Sequence, residues 1–221
     1  MSGVFTLPTP AQAVLVTIVG AESTGKTSLA LGLVAQLQAQ GRSVAMVPEV
    51  LREFCEREGR TPMAHEQMGL ALEQTQRIQA AREGHDIVVA DTSALMIAVY
   101  SELIFADLTL YASALKAHAQ ADLTLLTALD LPWVADGIMR DGAHVRAPVD
   151  SLIRQRLQEA GLRHSVIGGE GSTRSRAALS VVEHALQVAE LRRRGLPRTP
   201  WRWICEKCDD GDCEQHGLAS D

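Results

Sequence analysis

The segment 14–27 constrains the fold more than any other part of the chain. It begins with VLVTIV, a run rich in β-branched apolar residues, which is typical of a buried parallel strand. GAESTGKT follows at 20–27 and matches the phosphate-loop pattern G-x-x-x-x-G-K-[ST]. Apolar residues then recur at helical spacing from Leu29 to Leu37, so the loop connects a strand to a helix. This context predicts a binding site for a nucleoside triphosphate.

Each part of the phosphate loop has a predicted role. Its glycines let the main chain turn tightly and approach the phosphates, and the amides of 22–27 form an anion nest at a helix N-terminus. Lys26 is expected to reach the β- and γ-phosphates, and the Thr27 hydroxyl is expected to hold Mg²⁺. ATP and Mg²⁺ are therefore the predicted cofactors. The predicted ATP-binding residues in this segment are Gly20, Ala21, Glu22, Ser23, Thr24, Gly25, Lys26, Thr27 and Ser28.

Composition limits the class of protein. The 221 residues, 46% of them hydrophobic, suffice for one domain with a three-layer core. No apolar run approaches the ~20 residues of a membrane span, and residues 1–12 lack the basic and apolar regions of a secretory signal. A net charge of −6 argues against nucleic acid as the main partner. We therefore expect a cytoplasmic protein with no membrane partner; its oligomeric state is left open.

Strands and helices alternate along the rest of the chain. Further strands are predicted at 43–47, 87–90, 123–129 and 164–167, and helices at 50–57, 62–83, 94–105, 109–119, 148–160 and 172–194. The helix at 62–83 is predicted from Thr61 as its N-cap, Pro62 as its first residue, and the helical spacing of Met68, Leu72, Thr75 and Gln79. Five strands interleaved with helices predict an α/β fold, a P-loop NTPase with a five-stranded parallel sheet in three αβα layers. The predicted organisation is a tail at 1–13, a P-loop domain at 14–195 and a C-terminal tail at 196–221.

Ligands of such sheets bind at the carboxyl ends of the strands, where two carboxylates are candidates. Glu49 follows the second strand and either caps the next helix or acts as the general base for a substrate hydroxyl. Arg52, one turn later, either pairs with Glu49, holds a phosphate or lies on the surface. Asp91 follows the third strand as a Walker B carboxylate does, which predicts a role at Mg²⁺, with helix capping as the alternative. Spacing does not decide which of Glu49 and Asp91 is the base.

A long loop at 131–147 follows the fourth strand, and long loops in compact domains are often functional. Arg140 and Arg146 are predicted to close over the triphosphate as a lid and neutralise charge, with an exposed basic loop as the alternative. Trp133 is either part of the core or a flat surface on which a ring stacks. Asp136 either pairs with a cation or a sugar hydroxyl, or is a turn residue.

Together these motifs resemble the bacterial ribosylnicotinamide kinase domain. The similarity lies in GAESTGKTSLA, VPEVLREF and ADT, and above all in LDLPWVADGIMRDGAHVR and VIGGEGSTR, and it covers about residues 14–194. Longer relatives carry an adenylyltransferase domain ahead of this one. We do not expect that domain here, because only about a dozen residues precede the first strand.

The resemblance implies a nucleoside-kinase-like fold and a specific reaction, transfer of the ATP γ-phosphate to the 5′-hydroxyl of nicotinamide riboside in NAD salvage. It implies that Glu49 is the base or a ribose ligand, and that Trp133 stacks on the pyridinium ring. Residues 168–176, which include Arg174, are implied to hold adenine. The implied substrate-binding residues are Glu49, Arg52, Gln74, Trp133 and Asp136, with Arg77 beside them.

One departure from the family pattern concerns the residues after the third strand. Relatives commonly carry Asp-Thr-Asp there, whereas this chain has Asp91-Thr92-Ser93. The second carboxylate, a metal or ribose ligand, is thereby lost. A kinase of another nucleoside, a pyrimidine nucleoside or a deoxynucleoside, is therefore the alternative substrate hypothesis.

The C-terminal tail lies outside the resemblance. Its cysteine and histidine spacing suits a small structural Zn²⁺ site, and a disordered tail with reduced thiols is the alternative. A different functional class follows from the same tail, an ATP-dependent switch that controls a partner through it. Cys55, far from the tail in sequence, is expected to be a buried apolar residue. The candidate zinc ligands are Cys205, Cys208, Cys213 and His216.

Overall fold

The structure, a computed structural model, describes residues 12–134 and 142–194. Within them, five parallel strands form one sheet in the order β2-β3-β1-β4-β5. Because β1 is central, the ends of β3 and β4 lie on either side of the segment that follows it. The strands are β1 (Val14–Val19), β2 (Val44–Val47), β3 (Ile87–Asp91), β4 (Leu123–Thr127) and β5 (Ser165–Ile167).

Helices cover both faces of this sheet. The seven α-helices of the described residues are α1 (Lys26–Ala39), α2 (Val50–Glu58), α3 (Gln67–Arg82), α4 (Ala94–Phe105), α5 (Tyr111–His118), α6 (Arg146–Glu159) and α7 (Gly171–Arg193), with 3₁₀ turns at Ala64–Glu66 and Ala143–Val145. The predicted α/β fold is confirmed, and the predicted and observed ends of most elements agree within two residues.

The alternation of side chains along β1 explains the three layers. Val16 and Ile18 pack into a core with α1 and α7, whereas Val19 belongs to a second core with residues of α2 to α6. All six residues of β1 are buried, as expected for a central parallel strand with helices on both faces.

The helix α3 corrects the sequence prediction in two respects. It begins at Gln67 and not at Pro62, because the Glu66 carboxylate accepts a hydrogen bond from the Met63 amide at 2.8 Å and forms the 3₁₀ turn that precedes the helix. The residues whose spacing predicted the helix also do not form its buried face. Met68 and Leu72 are exposed, and the buried residues are Gln67, Leu70, Ala71, Gln74, Ile78 and Arg82.

The chain divides into two compact units, Met1–Gln187 and Val188–Asp221. The sheet and the helices α1 to α6 belong to the first unit. In the second, the described residues 188–194 form the end of α7 and the residue after it. The predicted domain boundary at 195 falls outside the described residues and stays a prediction. No helix in the described ranges has the length and apolar character that a membrane span requires.

Candidate functional site

The phosphate loop connects β1 to α1, and its shape is fixed from the β4 side. Gly20 has φ 153°, and a Cβ at this position would lie 2.0 Å from the Thr127 hydroxyl, so no other residue fits. Gly25 caps α1 in the left-handed region with φ 75°. The buried Thr24 hydroxyl lies 2.8 Å from the Ala21 carbonyl and 2.7 Å from the Thr127 hydroxyl. These contacts hold the loop in one conformation.

The two residues that begin α1 carry the polar groups expected at the phosphates. Lys26 is buried, and its Nζ donates to the Ala21 carbonyl at 2.9 Å, so its ammonium lies over the loop. The Thr27 hydroxyl donates to Asp91 Oδ2 at 2.5 Å, which joins the loop to the end of β3. Ser28, also predicted to bind ATP, is exposed on α1.

The pair of Thr27 and Asp91 fits the predicted Mg²⁺ position. The second oxygen of the buried Asp91 carboxylate, Oδ1, has no hydrogen-bond partner among the described residues. Hydroxyl and carboxylate oxygens are the ligands that Mg²⁺ takes from proteins, together with substrate phosphates and water. No group of three His, Cys, Asp or Glu side chains suited to a metal occurs in the described part of the chain. One hydroxyl and one carboxylate suit a cation whose other ligands come from a triphosphate and water.

Glu49 lies two residues beyond β2 and is buried, with 7% of its surface exposed. It is the N-cap residue of α2, yet its side chain makes no capping hydrogen bond. Arg52 Nε lies 3.8 Å from Glu49 Oε2, so the predicted pairing of these two residues is present. The Glu49 carboxylate therefore stands at the N-terminus of α2 without capping the helix by a hydrogen bond.

Gln74 and Arg77 of α3 have different surroundings. Gln74 is fully buried; its Oε1 accepts from the Val50 amide at 2.8 Å, and its Nε2 donates to the Pro48 carbonyl at 3.3 Å. Arg77 donates to Glu53 at 2.5 Å and to Glu73 at 2.6 Å. The described contacts of Gln74 are thus with the main chain beside Glu49, and those of Arg77 are with surface carboxylates.

The side chain of Arg174, a residue predicted to bind ATP, contacts the main chain of the phosphate loop. Its guanidinium donates to the Thr24 carbonyl at 2.7 Å, to Asp130 at 2.9 Å and to the Gly169 carbonyl at 3.0 Å. Burial opposes ionisation of Asp130, but hydrogen bonds from the Gly169 amide and Arg174 outweigh it and lower the pKa of this carboxyl. A charged pair therefore braces the loop from the start of α7.

The segment after β4 is attached to the phosphate loop by Ser23. The Ser23 hydroxyl accepts from the Val134 amide at 2.8 Å and lies 3.2 Å from the Val134 carbonyl. Next to it, Trp133 is half-buried, and its indole Nε1 has no hydrogen-bond partner within the described ranges. This attachment brings Trp133 to the loop edge of the sheet.

The remaining predicted residues of this region lie partly outside the described chain. Arg146 begins α6 and is 9% exposed, and its Nε and Nη2 have no hydrogen-bond partner among the described residues. Asp136 and Arg140 lie outside the described residues, as do the candidate zinc ligands Cys205, Cys208, Cys213 and His216.

Sequence reasoning missed several polar residues that support the site. Ser93 caps α4 through the Leu95 amide, and its hydroxyl lies 2.8 Å from Nδ1 of the buried His118, whose Nε2 lies 3.0 Å from the Thr124 hydroxyl. Burial lowers the pKa of His118 to about 4. Ser93, which replaces the family carboxylate, therefore forms part of a buried network beneath the site. Thr127 and Asp130 carried a signal in the sequence, as polar residues at the end of a buried strand.

Two other buried groups complete the surroundings. Glu22, in the phosphate loop, is 7% exposed, and its Oε2 has no hydrogen-bond partner among the described residues. Cys55 of α2 is free and buried as expected, and burial, followed by the negative charge of Glu49, raises the pKa of its thiol to about 11. Its thiol is therefore protonated at neutral pH and behaves as an apolar group.

A parallel sheet with this loop, the Lys26 ammonium over it and a carboxylate on the Thr27 hydroxyl defines a P-loop nucleotide-binding domain. A family model described as an AAA domain matches residues 15–176, and the chain belongs to this family.

Solved structures extend the comparison. A NadR protein in complex with NR superposes with a TM-score of 0.67 and 21% identity, over 85% of this chain and 53% of the NadR chain. A NadR protein in complex with NAD and AMP-PNP gives a TM-score of 0.62 and 20% identity, over 86% of this chain and 52% of the other. The chain thus spans about half the length of these structures. No curated protein sequence matches it. The predicted P-loop fold is confirmed, and the fold of the chain resembles that of these NadR structures.

Proposed function

We propose that this protein is an ATP-dependent kinase that phosphorylates the 5′-hydroxyl of nicotinamide riboside to give nicotinamide mononucleotide. The observation that carries the proposal is the buried Glu49 carboxylate, which does not cap its helix and lies at the same sheet edge as Lys26 and the Thr27–Asp91 pair. The ligands of the two NadR structures, NR and AMP-PNP, support the choice of acceptor and donor.

The two carboxylates take separate roles in this proposal. Asp91 accepts a hydrogen bond from the Thr27 hydroxyl, which supports its assignment to the metal side of the site. Thr27 and Asp91 would hold Mg²⁺, which supplies charge neutralisation at the β- and γ-phosphates when bound. Glu49 lies beyond the neighbouring strand, where an acceptor hydroxyl can approach it, and is therefore assigned as the base.

The transfer is an in-line displacement. The 5′-hydroxyl oxygen forms a bond to the γ-phosphorus while the bond from that phosphorus to the β–γ bridging oxygen breaks. ADP leaves with the electron pair of that bond, and the hydroxyl proton passes to the Glu49 carboxylate. Lys26 neutralises charge on the phosphates, and Arg140 and Arg146 are assigned to the equatorial oxygens of the transferring group.

Recognition of the nucleoside is assigned to the segment after β4. Trp133 provides an aromatic surface for the cationic pyridinium ring, because a ring face attracts a cation. We assign Asp136 as a partner of the cationic ring or of the ribose. Arg52 is assigned as the residue that pairs with Glu49. Because Ser23 attaches Val134 to the phosphate loop, nucleoside and ATP would bind at adjacent places.

ADP production with Mg·ATP tests the proposal. The acceptors are nicotinamide riboside, uridine, cytidine, adenosine and deoxynucleosides, each compared with ATP alone. Stimulation by nicotinamide riboside alone is the expected result. Glu49→Gln should lower it by roughly 10²- to 10⁴-fold, the usual contribution of a general base, whereas Glu56→Gln, an exposed residue of the same helix, should keep it. Stimulation by another nucleoside would overturn the substrate, and no stimulation by any of them would overturn the kinase in favour of an ATP-dependent switch.

A further inference from the structure

The N-terminus of α2 is capped from another helix. The first amides of a helix lack partners within it, and the side chain of the N-cap residue usually accepts from one of them. At α2 the N-cap residue is Glu49, whose side chain makes no such bond. The amide of the first helical residue, Val50, instead donates to Oε1 of Gln74, which lies 24 positions further along the chain in α3.

The same side chain also holds the residue before Glu49. Gln74 Nε2 donates to the Pro48 carbonyl at 3.3 Å. The Pro48 carbonyl belongs to the peptide group that precedes Glu49, and the Val50 amide belongs to the one that follows it. One planar amide group therefore holds both peptide planes at the Glu49 Cα, and with them the direction of its Cα–Cβ bond.

Burial makes this contact specific. Gln74 has no exposed surface, and Glu49 is 7% exposed. A buried amide is stable only where its donor and acceptor have partners, so the glutamine and the two main-chain groups hold one another in a single geometry. The main chain on both sides of Glu49 is therefore held by a buried side chain of another helix.

We propose that Gln74 is a positioning residue for Glu49. The Gln74 side chain caps α2 in place of the Glu49 carboxylate, and it holds the main chain of Glu49 in the geometry that proton transfer requires. The inference rests on the proposed function in that it takes Glu49 as the base. It also gives Gln74 a different role from the substrate contact implied by the resemblance, because its described hydrogen bonds are with the main chain.

The kinetic test replaces Gln74 by a side chain of similar length. Gln74→Met removes both hydrogen bonds, and kcat should fall roughly 10- to 100-fold because small misplacements of a catalytic group are costly. The KM for ATP should stay within about twofold, because the phosphate loop is unchanged. Gln76→Met, an exposed residue of the same helix, should keep wild-type kcat. In the Glu49→Gln background, Gln74→Met should cause no further loss of kcat, because the group that it positions is already gone. A wild-type kcat in the single variant Gln74→Met would overturn the proposal. A further loss of roughly 10- to 100-fold in the double variant would also overturn it.

A second variant removes only one of the two hydrogen bonds of Gln74, and a second measurement does not depend on catalysis. Gln74→Glu can still accept from the Val50 amide but cannot donate to the Pro48 carbonyl, and its loss of kcat should be smaller than that of Gln74→Met. Hydrogen exchange of the peptide 48–54 needs no turnover, and its protection should fall in Gln74→Met but not in Gln76→Met. Unchanged protection would overturn the cap even in an active enzyme. If wild-type protein is not stimulated by any nucleoside, the proposed function fails, while the exchange experiment still decides the cap.

Discussion

The Arg174 guanidinium donates a hydrogen bond to the Thr24 carbonyl at 2.7 Å, across 150 positions of sequence. It joins the first turn of α7 to the middle of the phosphate loop, and Asp130, three residues beyond β4, accepts a hydrogen bond from it. An arginine implied to contact adenine is therefore also a brace for the loop that is predicted to bind the phosphates.

Replacing Arg174 by methionine should weaken ATP binding and destabilise the fold. The substitution removes the guanidinium donor to the Thr24 carbonyl and the cationic partner of Asp130. We expect the Kd for ATP to rise about tenfold, and the free energy of unfolding to fall by about 1–3 kcal/mol, the cost of an unsatisfied buried polar group. Calorimetric ATP titration and urea denaturation measure the two effects. Arg176→Met, an exposed residue of the same helix, is the control, and an unchanged Kd in Arg174→Met would contradict the brace.

Asp91→Asn should change the dependence on magnesium. An amide accepts the Thr27 hydroxyl but lacks the negative charge that favours a divalent cation, so the Mg²⁺ concentration for half-maximal ADP production should rise about tenfold or more. Lys26→Ala should instead lose orders of magnitude of activity at every Mg²⁺ concentration, because transition-state charge stabilisation is lost. Asp86→Asn, exposed just before β3, should behave as wild type. Equal magnesium curves for Asp91→Asn and wild type would exclude Asp91 from the metal site.

Local patterns were sufficient to predict the order of the elements, because each strand run and the phosphate loop are contiguous in the sequence. They failed for the inward face of α3. This helix carries apolar residues on two sides, and packing against α4 buries Leu70 and Ala71 while Met68 and Leu72 stay exposed. Periodicity alone could not make this choice, since it depends on the neighbouring helix.

The candidate site follows the same division. Lys26, Thr27, Glu49 and Asp91 stand at the ends of predicted strands or in a contiguous motif, so topology alone placed them at one edge of the sheet. Gln74, which holds the main chain beside Glu49, does not have such a signal. Gln74 lies in the middle of α3, and its hydrogen bonds to Pro48 and Val50 form only when α3 packs beside β2.

Trp133→Ala should mainly affect the nucleoside. If the indole ring stacks on a pyridinium ring, its loss removes a cation–π contact of about 0.5–2 kcal/mol, so the KM for nicotinamide riboside should rise roughly 2- to 30-fold. The KM for ATP should stay close to wild type, and Trp133→Phe should recover most of the lost affinity. Steady-state ADP production at varied nucleoside concentration measures both constants. An unchanged KM for the nucleoside would remove Trp133 from the ring-binding role.

His118 should make the stability of the fold depend on pH. Its pKa in the folded protein is about 4, because burial disfavours the charged ring, whereas an unfolded chain has a histidine pKa of about 6.5. Between about pH 4 and 6.5 the unfolded state binds a proton at His118 that the folded state does not bind. The contribution of His118 to the free energy of unfolding is therefore full above about pH 6.5 and is lost as the pH falls towards 4. The difference of about 2.5 pKa units corresponds to roughly 3 kcal/mol.

Urea denaturation between pH 7.5 and 4.5 measures this loss. His118→Gln carries no titrating ring, so its free energy of unfolding should fall less over this range than that of the wild type, although it starts from a lower value because the contacts with Ser93 and Thr124 change. His85→Gln, an exposed histidine just before β3, is the matched control and should keep the wild-type slope. If His118→Gln and the wild type lose the same free energy between the two pH values, the buried histidine is not the group that couples stability to pH.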